Sequence, residues 1–453
     1  MKKYEKYKPS AYDWLSDIPT HWQELFIQQV SREQKNKNEN NIVNLVLSLS
    51  YGNIIRKKNV DAGLVAKDLS TYQIVDKDNI ILRFTDLQND HKSLRTGLVK
   101  ERGIISSAYT CIVPNINAAY LHYVFHSYDT QKVFYGMGGG VRQSIGYDDI
   151  RHMFVPVPTA VEQDQIVRYL DWQISKINHL IHSHQKQIKL LKERRQTIID
   201  RAATQGINKN VMLKNSGANW IPLIPEHWNM VYAKKLFAQR KDKAFPNDIQ
   251  LTSSQKYGII SQEEFMKLEG RRLTVVMTGE DILKHVGIGD FVISMRSFQG
   301  GLEYSYVEGK ISSAYVMLIP NKEKVYDEYF KWLLKSKPYV KALQGTSDLV
   351  RDGQALRYAN FAKVYLPEIP LDEQKEIAEY IATEVAKIDN ALPTFQKEIE
   401  LLREYRTRLI SDVVTGQIDV RDVVIPEYTP EEDTEIDTDD VGEDVEEVAE
   451  DAE

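Results

Sequence analysis

The sequence predicts an α+β protein made of two related halves, each a mixed helix-and-strand domain followed by one long helix. Three observations predict it: motifs that recur in order at a fixed offset, short strand-like runs broken by turn residues, and two sustained heptad patterns.

The repeat fixes the organisation of the 453 residues. Lys8-Pro9-Ser10-Ala11-Tyr12-Asp13-Trp14 aligns with Lys214-Asn215-Ser216-Gly217-Ala218-Asn219-Trp220, an offset of 206. At the same offset Ile18-Pro19-Thr20-His21-Trp22 meets Ile224-Pro225-Glu226-His227-Trp228, Tyr51-Gly52 meets Tyr257-Gly258, and IISSAY at 104–109 meets KISSAY at 310–315. A small insertion then moves the offset to 211, where Glu162-Gln163 meets Glu373-Gln374, Leu190-Leu191 meets Leu401-Leu402, and Arg195 meets Arg406. Ordered matches of this kind mark a duplication.

Within each half the first part (1–158 and 208–366) carries strand-like runs, such as 44–49, 79–84, 291–295 and 315–319, between Gly, Asn, Asp and Pro residues. The run at 326–334 reads as helix. These are two α+β domains whose strand order the sequence does not give.

The second parts, 159–207 and 367–420, each hold one long helix. Thr159 followed by Glu162 fits a capping box, and Pro158 and Pro370 sit just upstream of the pattern. A heptad frame puts Val167, Leu170, Ile174, Ile177, Ile181, His184, Ile188, Leu191, Arg195, Ile198 and Ala202 on one seam. The offset of 211 gives Ala378, Ile381, Val385, Ile388, Leu392, Phe395, Ile399, Leu402, Arg406, Leu409 and Val413. Five heptads of a/d pattern predict coiled-coil packing, most simply of the two helices on each other, antiparallel and about 60 Å long. The expected shape is one domain at each end of a shared rod, related by an approximate two-fold axis. Pro393 is expected to bend or interrupt the second helix, because it removes an amide donor and clashes with the preceding turn.

Charge divides the chain differently. The formal net charge is −7, yet residues 427–453 hold 15 acidic residues and no Lys or Arg. The remaining 58 basic and 50 acidic residues leave the body at +8. The stretch 421–453 is expected to be an acidic, disordered, solubilising tail. A sharper reading is that it competes with a polyanion for the basic surface. No apolar run reaches the length of a membrane span, the N-terminus lacks a signal-peptide core, and Cys111 has no partner for a disulfide, so a cytoplasmic protein is expected.

No catalytic constellation stands out. A phosphate-binding loop, a dinucleotide fingerprint after Gly138-Gly139-Gly140, an adenine-methyltransferase motif and a zinc knuckle are all missing from the sequence. Cys111 aligns with Met317 and reads as a buried apolar residue. His179, His182 and His184 have Asn390, Pro393 and Phe395 as counterparts, so a partly solvated helix face accounts for them better than a metal site. His21 and His227 recur beside Trp and read as anchors of each domain's start. Arg195 and Arg406 interrupt the seam at one place and read as register-setting residues.

What remains is nucleic-acid binding. Arg83, Gln88, Lys92, Arg95, Arg142, Gln143, Arg296, Gln299, Arg351, Gln354 and Arg357 sit among small residues in loops. Arg paired to guanine and Gln to adenine each discriminate by about 1–3 kcal/mol, while other cations hold phosphates.

These motifs together resemble specificity subunits of type I restriction–modification enzymes. The residues that carry the likeness are Tyr7-Lys8-Pro9-Ser10 with Trp14, Ile18-Pro19-Thr20-His21-Trp22, Pro156-Val157-Pro158 with Glu162, Gln163 and Ile166, and Leu190 to Arg195. Each recurs in the second half, with Pro367 and Pro370 differently spaced. The resemblance implies two target-recognition domains that each read half of a split site on double-stranded DNA. It implies paired helices that set the gap and dock two methyltransferase subunits, with Ile177, Ile188, Leu191, Arg195, Ile388, Ile399, Leu402 and Arg406 as the spacer residues through which each helix meets its partner helix. It also implies S-adenosylmethionine, ATP and Mg²⁺ on partner subunits, restriction and motor subunits in the full complex, and no cofactor, metal or catalytic residue on this chain. Two other readings compete: an enzyme with unfamiliar motifs, and a scaffold whose domains bind peptides. Methyl transfer by the isolated chain distinguishes the first. Absence of salt-dependent DNA binding with a methyltransferase present distinguishes the second.

Overall fold

The structure is a computed structural model that describes residues 2–12, 14–15, 17–57, 69–85, 87, 94–137, 145–270, 282–294, 297–346 and 357–431. The chain divides into two compact units, residues 1–184 with 396–453, and residues 185–395. The boundary falls inside the long helices, not at their ends, so each unit contains half of each helix.

In the first unit a six-stranded sheet runs in the order Ser31–Gln34, Thr110–Pro114, Ile80–Leu82, Thr96–Leu98, Asn53–Arg56, Leu47–Ser50. Its pairings are antiparallel except that of Asn53–Arg56 with Thr96–Leu98. In the second unit four antiparallel strands run Phe237–Gln239, Val316–Pro320, Phe291–Ile293, Glu303–Tyr304. The strands Thr110–Pro114 and Val316–Pro320 occupy equivalent central places, and Cys111 and Met317 are both buried in them. Burial pushes the Cys111 thiol up to about 12, as a small apolar residue in a sheet interior should show.

Each domain is closed by a ribbon joining a strand near its start to its last strand. Gln23–Phe26 pairs with Phe154–Val157, and Asn229–Tyr232 with Tyr365–Glu368. Pro156 and Pro367 take part, which two-stranded ribbons tolerate because each strand has a free edge. The ribbon delivers the chain to a long helix, Ala160–Gln205 in the first half and Leu371–Val414 in the second.

All of the expected seam positions are buried or half-buried. In the first unit Arg406 donates to Asn178 Oδ1 at 2.8 Å, and His184 Nε2 lies 3.4 Å from Glu398. Moving forward from 178 to 184 thus moves backward from 406 to 398, which is antiparallel pairing. In the second unit Arg195 donates to Asp389 at 2.8 Å. Here the core is continuous: Ile199, Ala202 and Ala203 of one helix and Ile377, Ala378, Ile381 and Val385 of the other pack with Trp228, Phe237, Phe291 and Tyr329. At roughly 1.5–3 kcal/mol per large apolar side chain, this shared core holds the helix segments to the domain.

Pro393 does not interrupt its helix, which is continuous from Leu371 to Val414. The lost amide donor costs about 3 kcal/mol in a helix interior, and Pro393 is exposed on that helix. Nor does the segment after residue 420 leave the fold: up to Glu431 it lies along the first long helix within the first unit. Residues 432–453 lie outside the described part. No helix among the described residues is long and apolar enough to cross a membrane.

Candidate nucleic-acid interface

A groove of about 830 Å³ opens in the second unit between the last turns of the first long helix and the domain. Arg195, Gln196 and Ile199 form one wall. Opposite stand the turn Gln255-Lys256-Tyr257, Gln299 and Gly300, Tyr304 and Tyr306, and the helices Asp327–Leu333 and Lys337–Gln344. Lys337-Pro338 opens the latter helix, where Pro is favoured, and Tyr339, Val340 and Leu343 bury its inner face. That placement turns Lys337 and Lys341, four residues apart, outward.

Arg195, Lys256, Lys331, Lys335, Lys337 and Lys341 line the groove, and Glu303 is the one carboxylate in its lining. Arg195, Lys256, Lys331 and Lys335 are paired with Asp389, Glu269, Glu328 and Glu303, which leaves Lys337 and Lys341 exposed with no carboxylate partner among the described residues. Glu303 is buried and held 2.6 Å from Lys335 Nζ. Burial pushes its carboxyl up while Lys335 pulls it down, with burial prevailing. The Lys331 ammonium sits over the rings of Tyr304 and Tyr306, 5.2 and 4.7 Å from their centroids. Lys256 sits 4.7 Å over Tyr257. Cations on aromatic faces, with Gln255, Gln299 and Gln344 beside them, can hold a phosphate backbone and offer amides to base edges.

Of the candidate base-reading residues, Gln299 is exposed in this groove, one wall of which also carries the seam residue Arg195. Arg357 is exposed just before the short helix Tyr358–Phe361. Arg83 is half-buried. Arg95 is a correction: it is fully buried, and its guanidinium donates to the carbonyls of Arg83 and Thr85 at 3.2 and 2.7 Å and to Tyr135 Oη at 3.0 Å. Such a side chain ties a loop down and cannot reach a ligand. Gln88, Lys92, Arg142, Gln143, Arg296, Arg351 and Gln354 lie outside the described residues. The lysines of the groove were missed. Their signal was the 337/341 spacing on an amphipathic helix.

The long helices carry a second set of contacts. Ile177, Ile388 and Ile399 are buried, and Ile188, Leu191 and Leu402 half-buried. The two seam arginines make matching bonds, because Asn178 and Asp389 are themselves 211 apart. His179 and His182 direct Nδ1 at the two oxygens of Glu431, each at 2.6 Å. The imidazoles hold that carboxylate below the usual range. Among the described residues no group of His, Cys, Asp and Glu could hold a metal.

The recurring Glu–Gln pair explains the recurring His–Trp. Glu162 is buried and accepts from Tyr4 Oη at 2.6 Å and Trp22 Nε1 at 3.1 Å, with His21 Nε2 at 3.0 Å. Glu373 accepts from Trp228 Nε1 at 3.0 Å, with His227 Nε2 at 2.8 Å. Gln163 bonds Pro158 O and the amide of Asn117; Gln374 bonds Ile369 O, Lys324 O and the amide of Tyr326. One helical turn therefore clamps the start, middle and end of each domain. Of the expected capping box only half forms: the Glu162 amide reaches Thr159 Oγ1 at 3.4 Å, while its carboxylate serves the clamp.

No protein-family model matches the chain. It is 25% identical over 315 residues to a proposed type I restriction enzyme specificity subunit, MjaX, of Methanocaldococcus jannaschii, covering 68% of this chain and 69% of the relative. It is 23% identical over 423 residues to the MjaVIII type I specificity subunit of the same organism, covering 90% and 95%. Among solved structures, a chain from a type I restriction–modification assembly superposes with a TM-score of 0.63 at 14% identity, over 88% of this chain and 99% of that one. That likeness establishes the fold.

Proposed function

We propose that this chain, a relative of type I restriction enzyme specificity subunits along most of its length, is a DNA sequence-specificity subunit whose two domains each read one half of a bipartite target. The observation that carries this for the molecule itself is the groove of the second unit, where six cations and four aromatic rings surround a single buried carboxylate. The chain supplies recognition and assembly, not catalysis. Discrimination of about 1–3 kcal/mol per base pair is too little from one domain alone to find a site among many competitors. Joining two readers in one chain combines their discrimination and raises the effective concentration of the second. The helix pair then sets the spacing of the half-sites and docks two methyltransferase subunits.

In this reading the methyltransferases carry S-adenosylmethionine and methylate adenine, and restriction subunits use ATP and Mg²⁺ in the cytoplasm. Arg83, Gln88, Lys92, Arg142, Gln143, Arg296, Gln299, Arg351, Gln354 and Arg357 remain candidates for base and phosphate contact, joined by Lys337 and Lys341. Methylome sequencing of the host with and without the gene tests the whole. One bipartite adenine motif should vanish on deletion, and an unchanged methylome refutes the reading. For the groove, Lys337→Glu with Lys341→Glu should weaken duplex binding by the assembled methyltransferase uniformly across sequences. The salt slope should fall by about 1 for each phosphate that is no longer neutralised.

A further inference from the structure

The duplication leaves one surface covered in the first unit and bare in the second. In the first unit the chain beyond the second long helix forms a strap over the first. Gln165 Nε2 donates to the carbonyls of Val420 and Val423 at 3.0 and 2.7 Å. Ser175 and Asn178 then bond the backbone of Thr429 and Glu431, and His179 and His182 take the Glu431 carboxylate. At the root of the strap Val420, Leu409 and Tyr169 are all buried.

The offset of 211 maps Tyr169 to Tyr380, Leu409 to Ile198, and Val420 to Lys209. In the second unit no strap exists there, because after Lys209 the chain turns into the next domain. Tyr380 is 43% exposed against 6% for Tyr169. The place is an open cleft of about 460 Å³. Its lining is apolar at Ile198, Ile207 and Tyr380 and basic at Arg194, Arg201 and Lys209, and no acidic residue lines it. None of these three cations pairs with a carboxylate among the described residues.

We propose that this cleft binds an extended, acidic segment of a partner protein at the place that the root of the strap, around Val420, occupies in the first unit. The residues that hold the rest of the strap are replaced in the second copy by Glu376, Ala386, Asp389, Asn390 and Pro393. Two features favour a peptide over nucleic acid. The cleft is half apolar, offering a seat for an aliphatic side chain, and its counterpart already holds a peptide bearing Asp422, Glu427 and Glu431. Three cations with no carboxylate partner among the described residues supply the preference for negative charge.

The probe is a fluorescent synthetic peptide of residues 417–431, titrated by anisotropy into the full chain, whose own strap already fills the counterpart. The expected result is saturable 1:1 binding that weakens about tenfold or more with Arg194→Glu plus Arg201→Glu, as loss of charge complementarity at an interface should. Tyr380→Ala should weaken it too, whereas Lys337→Glu with Lys341→Glu and an excess of duplex DNA should not. Arg194, Arg201 and Tyr380 are exposed, so the variants should keep the parent circular dichroism, and either set alone suffices. Absence of saturable binding overturns the proposal. So does binding that survives both sets, which locates the peptide on the counterpart surface. Competition by DNA, with the variants losing duplex affinity, reassigns the cleft to nucleic acid and overturns it equally.

Discussion

Replacing Glu162 by Ala tests the clamp that joins each domain to its helix. The substitution strands two buried donors, Tyr4 Oη and Trp22 Nε1, where Tyr4 and Trp22 are 5% and 1% exposed. Burial and the adjacent carboxylate push the Tyr4 phenol well up, so it remains a donor across the working pH range. Each unsatisfied buried group costs about 1–3 kcal/mol, giving about 2–6 kcal/mol for the site. The His21 ring is 40% exposed, so its share is small. Glu373→Ala strands only Trp228 Nε1 among buried donors, because Asn210 stands where the first copy has Tyr4. Its cost should be about 1–3 kcal/mol. Native-state hydrogen exchange of residues 18–22 and 224–228 reads the two openings separately, which global unfolding of two units does not. Adding Tyr4→Phe to Glu162→Ala removes one stranded donor and should recover about 1 kcal/mol in a double-mutant cycle. Equal losses at Glu162 and Glu373, or no change in exchange at residues 18–22, would refute the reasoning.

Three further outcomes are expected. With its thiol pushed up to about 12 by burial, Cys111 should resist thiol reagents at pH 8 and react only as fast as the domain opens; rapid labelling of native protein contradicts its placement. Burial lowers His122 to about 4 and His126 to about 3. Both are neutral in the fold, so stability is full above the ordinary value near 6.5. It falls as pH drops towards 4, because only the unfolded chain takes up these protons. The slope is at most about 1.4 kcal/mol per pH unit for each proton, and His122→Phe should flatten the dependence of the urea midpoint between pH 7 and 5. Inserting one heptad into either long helix should change the gap in the methylated motif or abolish assembly, and an unchanged motif removes the spacing role.

The parts legible in the sequence are those with a period or a copy. The seam was readable because apolar burial at every third or fourth residue leaves a pattern, and Arg195 and Arg406 were noticed because the repeat printed them twice. The repeat also flagged Glu162-Gln163 and His21-Trp22, but their contact spans about 140 residues and carries no local signal. Arg95 shows the opposite failure. An arginine between Leu94 and Thr96 looks the same whether its guanidinium meets water or the carbonyls of a neighbouring loop, and burial decides which. The strap was hidden by its composition: acidic residues read as solvated, yet Ser175, Asn178, His179 and His182 supply the bonds that hold it. Groove lysines come from three separate segments, and only folding brings them together.

The division of the chain also has a consequence for its synthesis. The second unit is one uninterrupted stretch, 185–395, whereas the first needs both ends of the chain. At about 5–20 residues per second, the first domain leaves the ribosome and waits roughly 10–40 s for the helix segment and strap that complete its core. The domain made first is therefore finished last. Its closure ends where the Asp419 amide meets the Lys2 carbonyl at 2.9 Å, a bond between residues 417 positions apart in the sequence. Until then Leu409, Val413 and Val420 cannot cover their partners. A nascent chain stalled before residue 396 should accordingly protect its second unit from protease while its first remains open to cleavage.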